Sequence, residues 1–110
     1  MGLETIERDG TLRVELTGEL DIATAAEVEA RLVELEDADA PDRLVIDLTE
    51  VRFLDSTGLS LLINADRRAR GAGRRLTVVS GTGVPRRILL TSGVDRLIEI
   101  VDELGPEAPG

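Results

Sequence analysis

Asp55, Ser56 and Thr57 put one carboxylate and two hydroxyls in consecutive positions, between the apolar entry Val51-Arg52-Phe53-Leu54 and the leucine-rich run Leu59-Ser60-Leu61-Leu62. Three kinds of chemistry are open to such a cluster. A side-chain oxygen of Asp55, Ser56 or Thr57 can accept from the free N–H groups of a helix that begins here. A hydroxyl at the same point can carry a phosphate, because the positive end of a helix dipole stabilises the about −1.5 to −2 charges that the group brings. Gly58, with no side chain, would let a ligand or partner backbone approach that hydroxyl. The third chemistry, nucleophilic catalysis, is poorly supplied. The chain has neither histidine nor lysine, the usual bases that activate a serine, and the surroundings of Ser56 are not a Gly-x-Ser-x-Gly elbow.

Composition narrows the partners. Asp plus Glu number 22 against 13 basic residues, a formal net charge of −9, which opposes nucleic acid and anionic membrane surfaces. Phe53 is the sole aromatic residue, so stacking platforms for bases are missing and the core must be aliphatic. No cysteine is present, which removes disulfides, thiolate metal sites and a thiol nucleophile. No apolar run approaches about 18 residues, and MGLETIERDG shows no basic region followed by an apolar stretch. A soluble cytoplasmic protein with no direct membrane insertion is expected. With 110 residues, 42% of them hydrophobic, the chain suits one globular domain burying roughly 65% of its unfolded surface.

The hydroxyl cluster needs elements to hold it. Residues 3 to 8 alternate imperfectly and lead to Asp9-Gly10, a tight hairpin turn; Leu12, Val14 and Leu16 then give a half-buried strand that Gly18 ends. From Thr24 the period becomes helical, with Ala25, Val28, Leu32 and Leu35 on one face, and Thr24 with Glu27 forms a capping box. Asp37 to Asp42, with Pro41, reads as a loop. Leu44 to Leu48 is continuous and β-branched, as for a central strand covered on both faces. Ser56 to Arg70 is a second helix stopped by Gly71-Ala72-Gly73. Leu76 to Val79 is a strand, Pro85 opens a short helix, and Ile98 to Val101 is a last strand. Strand, strand, helix, strand, helix, strand, helix, strand predicts an α/β fold: a mixed, mostly parallel sheet with an N-terminal hairpin, right-handed crossovers and helices packed against it. The domain spans 1–104, and 105–110 forms a tail without an apolar anchor, expected to be mobile.

Three stretches, "LTGELDIATA" at 16–25, "LVIDLTEVRFLDSTGLSLL" at 44–62 and "RRILLTSGVDRLIEIVD" at 86–102, resemble the STAS domain family, and within it the bacterial anti-sigma factor antagonists. Asp55-Ser56-Thr57-Gly58-Leu59 after a Val-Ile-Asp-Leu strand is the specific part of the likeness. The resemblance implies a non-enzymatic interaction protein. In the family the serine after this aspartate is phosphorylated by a partner that is both anti-sigma factor and serine kinase, which weakens the complex; a separate phosphatase resets it. By position the acceptor is Ser56, with Thr57 second. Asp21 matches a family acidic residue near that site, or caps the next helix, and the two roles are compatible. The implied partner-binding residues are Asp21, Asp55, Ser56, Thr57, Gly58 and Leu59, on a surface made by 18–24, the loop at 49–58 and the start of the second helix. The unmodified domain would capture the anti-sigma factor and free a sigma factor for transcription.

Two departures accompany the likeness. Val101 to Leu104 runs into Gly105-Pro106, so the family's C-terminal helix is shortened or missing, and Ser60 stands where glycine is common. Two other jobs fit the same fold. One is a static STAS subunit of a membrane transporter or lipid-transport complex, with Ser56 never phosphorylated; the other is a small-ligand sensor. No cofactor is implied, and Gly81-x-Gly83 fits neither a P-loop nor a dinucleotide fingerprint. The arginine pairs 67–68, 74–75 and 86–87 read as solvated ends of elements.

Overall fold

The computed structural model describes residues 1–104; the tail at 105–110 lies outside the described residues. Five strands, β1 (Gly2–Arg8), β2 (Thr11–Leu20), β3 (Arg43–Leu54), β4 (Arg75–Val79) and β5 (Glu99–Val101), form one sheet in the order β1-β2-β3-β4-β5. Only β1 runs against its neighbour, paired with β2 from Gly2↔Thr17 to Arg8↔Thr11. Asp9 and Gly10 close that hairpin at φ 51 and 79, the positive values that a two-residue turn requires. The other pairings are parallel. The α/β class and the mixed sheet agree with the sequence reading.

Three helices bridge the parallel strands: α1 (Ala25–Asp39), α2 (Ser56–Gly71) and α3 (Val84–Ser92), with a 3₁₀ turn at Val94–Arg96. Val28 and Leu32 of α1, Leu61, Leu62 and Ala65 of α2 and Leu89 of α3 share one core with Leu12, Val14, Leu16, Leu44, Ile46, Leu48, Leu76 and Val78. All three helices therefore cover the same face of the sheet. Leu44–Leu48 is buried on both faces, as expected of a central strand, although helices cover only one of them. Val45 and Thr77 are fully buried but belong to the opposite face, where in-register neighbours Arg13, Val45, Thr77 and Glu99 run across four strands. There Arg13 reaches Asp47 at 2.5 Å and Arg43 reaches Thr77 at 3.2 Å, so arginine side chains seal this face.

Three boundaries also differ. β2 does not end at Gly18. It continues to Leu20 through two register shifts, at Glu15/Thr17 and Gly18/Glu19, with Gly18 at φ 102, a bulged path that breaks the period of two. β3 likewise runs on to Leu54, so 49–54 is strand rather than loop. Helix α1 extends to Asp39 and stops at Ala40, whose φ is 42 and whose N–H donates to the Glu36 carbonyl at 3.1 Å. Its last turn survives three carboxylates at the negative helix end because Arg68 of α2 holds Glu36 through two bonds of 2.9 and 3.0 Å. Arg68 also reaches Glu29 at 2.5 Å. Two other members of the arginine pairs bond carboxylates as well, Arg75 to Glu99 and Arg86 to Asp102, both at 2.7 Å. After β5, residues 102–104 form no helix.

Candidate functional site

The parallel pairing of β2 with β3 reaches Glu19↔Phe53 and Leu20↔Leu54, so the two strands finish side by side. The segments that continue from their ends must then meet. After β2 comes the turn 21–24, and after β3 comes Asp55 and the first turn of α2. Asp55 joins them: its N–H donates to the Leu20 carbonyl at 3.3 Å. Its Oδ1 accepts from Thr57 N–H at 2.9 Å and Gly58 N–H at 3.0 Å, and its Oδ2 accepts from Ile22 N–H at 3.1 Å. Its extended backbone, φ −103 and ψ −170, is what an N-cap needs. Of the three residues able to cap, Asp55 does so.

That assignment frees the hydroxyls. Ser56 is the first residue of α2 and exposed, and Thr57 is half-buried; among the described residues neither hydroxyl has a hydrogen-bond partner. Ser56 Oγ thus stands in solvent at the positive end of a 16-residue helix.

Asp21 does not cap α1 with its side chain. Its Oδ1 accepts from Ala23 N–H at 3.0 Å, closing an Asx turn, while its carbonyl accepts from Thr24 and Ala25 at 3.1 and 2.8 Å. The capping box is not formed either: Thr24 has helical dihedrals and no side-chain cap bond. Its hydroxyl donates to the Glu19 carbonyl at 2.8 Å and accepts from Asp21 N–H at 3.1 Å, so Thr24 ties the turn to the end of β2.

Gly58 is buried, and a methyl group there would overlap the Leu20 carbonyl oxygen and press on Leu54 Cβ at 3.1 Å. The space expected to admit a partner is already filled by this chain's own strands. Leu59 is partly buried against the core. The structure thus brings Asp21, Asp55, Ser56 and Thr57 to one end of the sheet, with Gly58 and Leu59 beneath them.

Two residues at this end lie within the expected surface, 18–24 and 49–58, but were not singled out as partner-binding. Ile22 is 79% exposed and Phe53 45% exposed. Ile22 sits in the turn held by Asp55, and Phe53 precedes Asp55 by two positions. The signal was available: neither falls on the periodic face of an element, so neither had a core to enter. Val84, at the start of α3 after the next strand, is also 42% exposed. Exposed apolar side chains thus occur just after β2, near the end of β3 and after β4, at the C-terminal ends of parallel strands, where open α/β sheets place binding sites.

Comparison with known proteins accords with this geometry. Residues 4–101 match the family described as "Mlab, STAS domain". The chain belongs to the STAS domain family. Among its relatives is the anti-sigma-F factor antagonist RsfB of Mycobacterium tuberculosis, 34% identical over 98 residues, covering 89% of this chain and 79% of that protein. The anti-sigma-B factor antagonist of Staphylococcus epidermidis is 32% identical over 88 residues, covering 80% and 78%. The crystal structure of an anti-sigma factor antagonist from Mycobacterium paratuberculosis superposes with a TM-score of 0.84 at 30% identity, covering 94% of this chain and 86% of that one. No helix among the described residues is long and apolar enough to cross a membrane, and none of their His, Cys, Asp or Glu side chains group in threes to hold a metal.

Proposed function

We propose that this STAS domain is an anti-sigma factor antagonist whose unmodified form binds an anti-sigma factor with serine-kinase activity, and that phosphorylation of Ser56 dissociates the pair. The observation that carries the reading is the free, exposed Ser56 hydroxyl on a helix end fixed by Asp55. The partner would cover Ile22, Phe53 and the start of α2, releasing a sigma factor for transcription. The domain supplies no catalysis. The kinase transfers the γ-phosphoryl of ATP: the Ser56 Oγ–P bond forms, the bond to ADP breaks, and the hydroxyl proton passes to a base of the kinase. A partner carboxylate about 6 Å from the new phosphate would be repelled by about 1–3 kcal/mol at effective dielectrics of about 40–80. That weakens binding about ten- to hundredfold. A separate phosphatase restores Ser56, and all of these steps belong in the cytoplasm.

Relatives named anti-sigma factor antagonists support the reading. The test is capture from the native cell with Ser56→Ala and Ser56→Asp as paired baits, followed by kinase treatment of the free protein. A kinase-like ATPase held by the Ala variant and lost by the Asp variant is expected, with one phosphate gained by the wild type and none by Ser56→Ala. Phosphate gained by Ser56→Ala would move the acceptor to Thr57. Transporter subunits held equally by both baits would make this end of the sheet a static interface and overturn the switch.

A further inference from the structure

The opposite pole of the molecule carries a surface that the Ser56 site does not use. Helix α2 runs back from the site, and its last turns, about 20 Å from Ser56 at 1.5 Å per residue, border the segment that leads into β5. Between them lies a groove of ≈ 260 Å³, lined by Ile63, Arg67, Arg70, Arg96, Leu97 and Ile98 together with Asp66. Arg70 is accounted for by the fold: it pairs with Asp66 at 2.8 Å and donates to the Leu97 carbonyl at 2.7 Å, tying α2 to this segment. Arg67 and Arg96 are not. Both are exposed, and among the described residues neither lies within ion-pair distance of a carboxylate; Arg43, Arg74 and Arg87 share that lack of a carboxylate partner, but none of them lines this groove.

We propose that this groove is a second docking site, and that its occupant is an acidic segment of a partner protein bearing an apolar anchor residue. Three arginines against one aspartate make a cationic spot on a chain of net charge −9. In such a chain, two arginines left without carboxylates are complementary to a negative group from outside. Leu97 on the same groove is 55% exposed, so a purely ionic ligand would leave the apolar surface wet. A peptide with both features covers both. Nucleic acid fits worse, since the overall field repels it and the groove offers no aromatic platform. The helix dipole explains Arg70 in the last turn of α2, but not Arg96, which belongs to the 3₁₀ turn. Because the groove and Ser56 lie at opposite ends of α2, both can be occupied together, and the inference stands whether or not Ser56 is a phosphorylation site.

The experiment is an amide NMR titration of the full chain with acetylated Glu-Glu-Leu-Leu-Glu-Glu, with Lys-Lys-Leu-Leu-Lys-Lys as the control, at low and high salt. The glutamate peptide should shift residues of the groove and leave the turn at 21–24 unmoved. Its affinity should fall about tenfold in R67E/R96E, fall with salt, and be unchanged in Ser56→Asp. Thermal midpoints of R67E/R96E and wild type should coincide, because neither arginine supports the fold. Groove shifts with the lysine peptide, shifts that survive R67E/R96E, or no shifts at all would overturn the proposal. So would groove shifts that track protein concentration without peptide, which would make the occupant a second copy of this chain.

Discussion

The Asp55 carboxylate is shared between two chain segments, with one oxygen on the first turn of α2 and the other on the Ile22 N–H. Removing a capping carboxylate costs about 0.5–2 kcal/mol, and here the turn that carries Ile22 is released as well. Asp55→Ala should therefore lower stability by about 1–2 kcal/mol, a fall in Tm of about 4–8 °C for each kcal/mol. It should also weaken partner binding although Ser56 is intact. Melting curves and a binding isotherm check both, and unchanged affinity would detach Asp55 from the interface. Gly58 makes an opposite case. Alanine is better than glycine in a helix interior by about 1 kcal/mol, so Gly58→Ala would stabilise an isolated α2. In the domain the added methyl meets the Leu20 carbonyl oxygen, and overpacking of this kind costs about 1–3 kcal/mol. The clash should win, giving a lower Tm, whereas a higher Tm would show that β2 moves aside freely.

Helices α1 and α2 both start at the candidate site, and their relative position is fixed farther along by Arg68 between Glu36 and Glu29. The Glu36 side chain is only 6% exposed, and hydrogen bonding to Glu36 chiefly, then to Glu29, raises the Arg68 pKa against the effect of burial. Glu36→Gln leaves a half-buried guanidinium short of one charge partner and should cost about 1–3 kcal/mol. Replacing both residues, Glu36→Leu with Arg68→Met, should recover most of that loss, because apolar substitutes for a buried ion pair are often neutral or stabilising. Urea midpoints distinguish the two; equal losses would mean that the pair is worth more than its packing. This triad also shows where sequence reading stops. Periodicity located α2 nearly to the residue, and Asp9-Gly10 located the hairpin, because these signals are local. The last turn of α1 depends on an arginine 32 positions away, so three acidic residues beside Pro41 read as a loop. The ends of β2 and β3 were missed for a related reason: the register shifts near Gly18 hide the period of two just where the site is built. Asp55, Ser56 and Thr57 were legible from type and spacing, but which of them caps depends on backbone dihedrals; Ile22 was legible only as an apolar residue outside any periodic face.

At the scale of the whole molecule, a largely parallel sheet carries helices on one face only, among the described residues, although such sheets are ordinarily covered on both. Charged side chains replace the missing layer. In-register rows set Arg13 beside Val45 and Glu15 beside Asp47, and the ion pairs link one row to the next: Arg13 reaches diagonally to Asp47 at 2.5 Å and along β2 to Glu15 at 3.3 Å. On the same face Arg75 meets Glu99 at 2.7 Å. Such a seal depends on ionised carboxylates, which makes the fold sensitive to acid. Burial pushes the Asp47 pKa up, but the Thr49 hydroxyl and N–H together with Arg13 outweigh it and hold the carboxyl below its ordinary value. Hydrogen bonds from Arg75 and Thr77 hold Glu99 down against a smaller effect of burial. A pKa lower in the folded than in the unfolded chain gives stability that is complete above the ordinary carboxylate pKa and lost as pH falls toward the folded value. Stability should therefore decline once the pH drops below about 4.5. Asp47→Asn keeps an acceptor for Thr49 but offers no charge to Arg13, so it should be less stable than wild type at about pH 7 and lose less between about pH 7 and about pH 3. Urea midpoints at the two pH values measure both changes. An identical loss in the two proteins would place the acid sensitivity elsewhere in the 22 carboxylates, and the open face of the sheet would then owe its seal to the arginine stems rather than to the charges they carry.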